Sequence, residues 1–74
     1  MQEYKSEVAR IRAQIELECE AIRRVFEEPA MCASHAAINV RYKNLGTYQE
    51  ALEQHIGEQE ARETLVDIYQ RVVG

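Results

Sequence analysis

The sequence predicts an all-α fold, a small helical bundle with a long N-terminal helix and two or three shorter helices. Three observations support this class. Apolar residues recur every three or four positions along most of the chain. Only three glycines and one proline occur, mostly at the ends of these periodic segments, and good helix formers are abundant. Since the chain has 74 residues, we expect a single helical domain, 1–74, with a small core.

The first predicted helix covers about residues 4–28, which contain neither glycine nor proline. Its apolar residues share one face, and we call them the α1 stripe: Tyr4, Val8, Ile11, Ile15, Cys19, Ile22 and Phe26. Polar residues predicted for the opposite face are Glu7, Arg10, Gln14, Glu18 and Arg24. A helix of this length measures about 36 Å. The remaining chain can cover that length only by folding back in shorter pieces, so we expect part of the stripe to face another protomer.

The second predicted helix covers about residues 30–45 and begins at Pro29, because a proline restricts the residue before it. Its periodic positions are Met31, His35, Ile38, Tyr42 and Leu45. Gly46 follows at the place of a C-terminal glycine. Thr47 and Glu50 then form a Thr-x-x-Glu capping box, which predicts the start of a third helix at about 48–56.

Gly57 is predicted to separate this third helix from a fourth, at about 59–73. In one continuous helix, Leu65 would lie about 220° around the axis from Leu52. A break at Gly57 allows two apolar faces to point toward the same core, one with Leu52 and Ile56 and one with a second set of residues. That set is Ala61, Leu65, Ile68 and Val72. The alternative is a single helix over the whole segment.

Part of the segment from Tyr42 to Ala61 resembles the turn and second helix of a tetratricopeptide repeat. The residues that carry this resemblance are Tyr42, Gly46, Tyr48, Ala51 and Leu52. The family's glycine on the first helix would fall at Asn39, and its small residue on the second helix at Glu58. The pattern occurs once, whereas solenoids need about three repeats. We therefore interpret the match as generic turn chemistry.

A second resemblance involves "EVARIRAQIELE", a central His, "RYKNLGTYQEAL" and "IGEQEA". This layout is similar to small uncharacterised bacterial helical proteins, a group without an assigned activity. The resemblance implies a compact helical fold and no particular chemistry.

His35 lies among apolar residues of the second predicted helix, three positions after Cys32. A buried histidine needs a hydrogen-bond partner, which a tyrosine such as Tyr42 could supply. We therefore consider His35, Tyr42 and Cys32 a polar core site or a ligand site. Four zinc ligands, an oxyanion hole and a phosphate-binding loop are not recognisable in the sequence. We expect no metal, no cofactor, no catalytic residues and no enzymatic activity.

The net charge of −4 argues against a nucleic-acid-binding module, and arginines alternate with glutamates along the first helix. No apolar run reaches the 18 residues of a membrane span, so we expect a cytoplasmic protein. The sequence favours a small protein-interaction module that forms a homodimer, or binds another protein, through the α1 stripe. The alternative is a small nucleic-acid-associated regulator that uses arginines of the first helix.

Overall fold

Three α-helices form the computed structural model, which describes residues 2–27 and 35–74, with side chains in 6–27 and 36–74. Helix α1 spans Gln2–Glu27, α2 spans His35–Ile56 and α3 spans Glu58–Val72. No strand occurs in these ranges, which confirms the all-α prediction. Each helix packs against the other two. Since α1 has 26 residues and α2 has 22, the expectation of one long helix with shorter partners holds only roughly.

The predicted break at Gly46 is wrong, because α2 continues through this residue to Ile56. Gly46 does not adopt a positive φ angle. The Thr47 hydroxyl donates a hydrogen bond of 3.2 Å to the carbonyl of Lys43, one turn earlier, instead of capping a new helix. Leu45 and Leu52, on either side of Gly46, are both buried and lie about 20° apart around the axis. A continuous helix therefore buries both residues on one face.

The break at Gly57 is present, and this one residue separates α2 from α3. Its backbone has φ 88° and ψ 163°, a region that only glycine adopts readily. Its amide donates to the carbonyl of Glu53, and its carbonyl accepts from the amide of Ala61, both at 3.0 Å. Gly57 thus belongs to the hydrogen-bond ladders of both helices while it reverses the chain.

Among the side chains that the structure describes, eight buried apolar residues from all three helices form the core: Ile11, Ile15, Cys19, Ile22, Leu45, Leu52, Ala61 and Ile68. Val8, Leu65 and Val72 are partly buried and pack against this cluster. The predicted inward face of the last helix is therefore observed in α3. On the predicted face of α2, by contrast, Leu45 is buried but Tyr42 is 41% exposed.

Several predictions concern residues outside the described ranges. These are the helix boundary at Pro29 and the positions of Met31 and Cys32. His35 begins α2, but its side chain, like that of Tyr4, is not among those described.

Candidate functional site

The centre of the α1 stripe forms the core of a single chain. Ile11, Ile15, Cys19 and Ile22 are each at most 2% exposed, covered by α2 and α3. Burial, followed by the nearby charge of Glu18, raises the pKa of the free Cys19 thiol. Its thiolate is therefore disfavoured, as expected for a cysteine that acts as a small apolar core residue. A partner can reach these four residues only if α2 or α3 moves away.

The C-terminal end of the α1 stripe is different, because Phe26 is 58% exposed. The 26 residues of α1 measure about 39 Å, whereas the 15 residues of α3 measure about 22 Å. Ile22 is the last residue of α1 in the buried core that all three helices share. Phe26 lies about one turn beyond it and is exposed. We call this end of α1 the Phe26 overhang.

An open groove between α1 and α2 lies beside the Phe26 overhang and has a volume of about 400 Å³. Its apolar lining residues are Ala21, Ile22, Val25, Phe26, Ala37 and Ile38. Arg24 and Arg41 also line it. This arrangement can accept an apolar side chain and place the positive charge of Arg24 beside a polar group that accompanies it.

Glu18 joins α1 to α2, contrary to its predicted place on the solvent face. The residue is only 9% exposed. One carboxylate oxygen accepts from Nη1 of Arg41 at 3.2 Å, and the other from Nδ2 of Asn44 at 3.4 Å. Glu18 lies about 60° from Ile15 around the helix, so it borders the stripe. Its angular position alone predicts a residue at the edge of the core, whereas its charge suggests a residue on the solvent-exposed face.

Two tyrosines join α2 to α3. The hydroxyl groups of Tyr42 and Tyr69 lie 2.8 Å apart, and their ring centroids 6.3 Å apart. This hydrogen bond, together with burial, raises the pKa of Tyr69 to about 12. Both rings line a second groove of about 560 Å³, which also contains Gly46 and Val66. The pair therefore adds a polar contact between α2 and α3, and Tyr42 does not take the core position that the sequence predicts.

Most arginines of the described residues are paired with carboxylates, four of them with a carboxylate three or four positions away on the same helix. Arg10 contacts Glu7 through two hydrogen bonds of 2.8 and 2.9 Å, which hold the pKa of Glu7 below its ordinary value. The other pairs are Arg23–Glu27, Arg41–Glu18, Arg62–Glu58 and Arg71–Asp67. This interleaving is typical of a solvated helical surface and gives the nucleic-acid alternative no concentrated positive face.

The structure brings the predicted stripe residues from Val8 to Ile22 together in the core, and it leaves Phe26 at the surface. Tyr42 pairs with Tyr69, a contact between α2 and α3 that spacing within one helix does not predict. The proposed association of His35, Tyr42 and Cys32 falls largely outside the described side chains. Its one described member, Tyr42, lies at the surface.

In comparisons with known proteins, no protein-family model, curated protein or solved structure matches the chain. Within the described residues, no helix combines the length and the apolar character needed to cross a bilayer.

Proposed function

We propose that the chain is a small protein-interaction module that self-associates, most simply as a homodimer, through the α1 stripe. The observation that supports this proposal is the exposure of Phe26, at 58%, on the same face as four buried stripe residues. A large aromatic side chain that continues an apolar face beyond its cover is a typical contact residue of a protein interface. In the dimer, the Phe26 ring of one copy would be buried against the Phe26 overhang of the other copy.

The groove beside Phe26 supports the same proposal. Val25 and Ile38 extend the apolar surface from α1 onto α2, and the groove is open to solvent between them. A symmetric dimer brings the same patch of both copies together, so each Phe26 would enter the groove of the other copy. Arg24, which is exposed, would then lie at the rim of the interface, where arginine is common.

The test compares two substitutions in α1 by sedimentation equilibrium over a wide concentration range. Phe26→Glu places a charge in the proposed interface, and we expect the dimer dissociation constant to rise about tenfold or more. Leu17→Glu is the matched control. Leu17 is also 58% exposed but lies about 180° from Phe26 around the helix.

The control should associate as the wild-type chain does. Equal dissociation constants for the two variants would exclude the overhang as the contact surface. A wild-type chain that remains monomeric at high micromolar concentration would contradict self-association itself.

A further inference from the structure

We infer that α3 can be exchanged between two copies of this chain, with Gly57 as the hinge and the α1 stripe as the surface that α3 covers. In the exchanged dimer, α2 and α3 of each copy form one helix from His35 to Val72. The α3 part of each copy then packs on α1 and α2 of the other copy. The hinge is separate from the Phe26 overhang, so this inference goes beyond the function proposed above.

The length of the connection is the first support. A single residue, Gly57, joins two helices that pack against each other. Very short hinge connections favour exchange, because a chain that straightens there can make the same contacts with a second copy. No side chain caps the start of α3, so the closed form lacks one of the usual stabilising features of a helix N-terminus.

The hydrogen bonds around Gly57 are the second support. The bonds from Gly57 to Glu53 and from Ala61 to Gly57 both have the spacing of a continuous α-helix. A change in the backbone angles of Gly57 would therefore join the two ladders. Straightening would also pair the amides of residues 58–60 with the carbonyls of residues 54–56, which are terminal groups in the closed form.

The phase of the apolar residues is the third support. In a continuous helix, Ala61 would lie about 180° from Leu52, yet both are fully buried in the closed bundle. Opposed apolar faces on one helix cannot face one small core. They can face two cores, one in each half of a dimer. The sequence pattern that requires a break in the monomer is thus satisfied without a break when two copies exchange α3.

The contacts between helices are the same in both forms. The conformational preference of Gly57 therefore has a large influence on the equilibrium between the closed monomer and the exchanged dimer. Glycine is favourable at φ 88° and unfavourable inside a helix, and both effects favour the closed bundle. Gly57→Ala reverses both. Since each exchanged dimer contains two hinges, we expect this substitution to lower the dissociation constant of the exchanged dimer by about a hundredfold, roughly tenfold for each hinge.

Glu58→Pro should have the opposite effect. Residue 58 is the first position of α3, where proline is well tolerated. A proline here disfavours a helical conformation at Gly57 but is compatible with its observed ψ of 163°. The substitution would therefore preserve the closed bundle and prevent the continuous helix. Glu58→Ala controls for loss of the weak ion pair with Arg62, whose atoms lie 3.9 Å apart.

The decisive measurement is an intermolecular nuclear Overhauser effect between Tyr42 of one copy and Tyr69 of another, in a sample mixed from two isotope labels before unfolding and refolding. Their rings are in contact within the closed bundle, and exchange would make that contact intermolecular. We expect a strong cross-peak for Gly57→Ala and none for Glu58→Pro. Gly46→Ala makes the same change inside α2, away from the hinge, and should give the same cross-peak intensity as the wild-type chain.

Dimers of Gly57→Ala without this cross-peak, or a purely monomeric Gly57→Ala chain, would overturn the exchange. If Gly57→Ala does not fold, mixed-label samples of the wild-type chain and of Glu58→Pro are refolded at millimolar concentration, and an intermolecular cross-peak that is no stronger in the wild-type chain than in Glu58→Pro would also overturn it. The outcome does not depend on the Phe26 test, because a dimer formed only through the overhang keeps the Tyr42–Tyr69 contact within each copy.

Discussion

Gly46 and Gly57 stand eleven residues apart, and the sequence around each one suggests the end of a helix. Gly46 lies inside α2, whereas Gly57 separates α2 from α3. The local signals favour a break at Gly46 more strongly, because a capping box follows it. The phase of the buried residues favours a break only at Gly57. The comparison shows that the direction of the apolar faces decides where this chain turns.

The largest effect should come from Gly46→Pro. A proline inside a helix removes one backbone hydrogen bond and clashes with the preceding turn, so we expect the free energy of unfolding to fall by about 3 kcal/mol or more. Chemical denaturation followed by circular dichroism measures this change. Glu58→Pro provides the matched proline control and should change stability little. A well-tolerated proline at position 46 would mean that α2 has a turn there.

A smaller and opposite effect is expected for Gly46→Ala. A methyl group added at Gly46 would meet no atom within 4 Å apart from its chain neighbours and the nearby backbone of its own helix, and alanine is the better helix former. The free energy of unfolding should rise by about 0.5–1 kcal/mol. Gly57→Ala is the natural comparison in dilute solution, where it should lower stability because of its positive φ. If both substitutions changed the free energy of unfolding in the same direction, the two glycines would not have the different backbone roles described here.

The fold class and the central stripe could be predicted from the sequence because both depend on helical period alone. Ile11, Ile15, Cys19 and Ile22 recur at helical spacing, and all four are buried. The break at Gly57 was also predictable, since it follows from the same period. Gly46 was misassigned because a glycine and a capping box describe only local preferences, which a continuous buried face can override.

The candidate surface was less predictable because it depends on which residues the helices leave uncovered. Periodicity places Phe26 and Ile22 on the same face, but it does not distinguish the buried Ile22 from the exposed Phe26. Glu18 was assigned to solvent by its charge, although Arg41 and Asn44 supply the hydrogen bonds that let it lie against the core. Such partners come from another helix, and spacing within one helix does not reveal them.

The smallest effect concerns Tyr42 and Tyr69, which meet only because the chain reverses at Gly57. Tyr42→Phe removes a partly exposed hydrogen bond, so we expect stability to fall by about 0.5–1 kcal/mol near neutral pH. Tyr48→Phe is the control, since the Tyr48 hydroxyl forms no hydrogen bond to the described part of the chain.

The pH dependence makes this last prediction specific. The pKa of Tyr69 is about 12 in the folded chain and about 10 in an unfolded one. Because the folded chain keeps this proton more tightly, the stabilising contribution is fully present below pH 10 and is lost as the pH rises to 12. The stability difference between the wild-type chain and Tyr42→Phe should therefore shrink over that interval. A difference that stays constant from pH 8 to pH 12 would mean that the two hydroxyls are not hydrogen-bonded to each other.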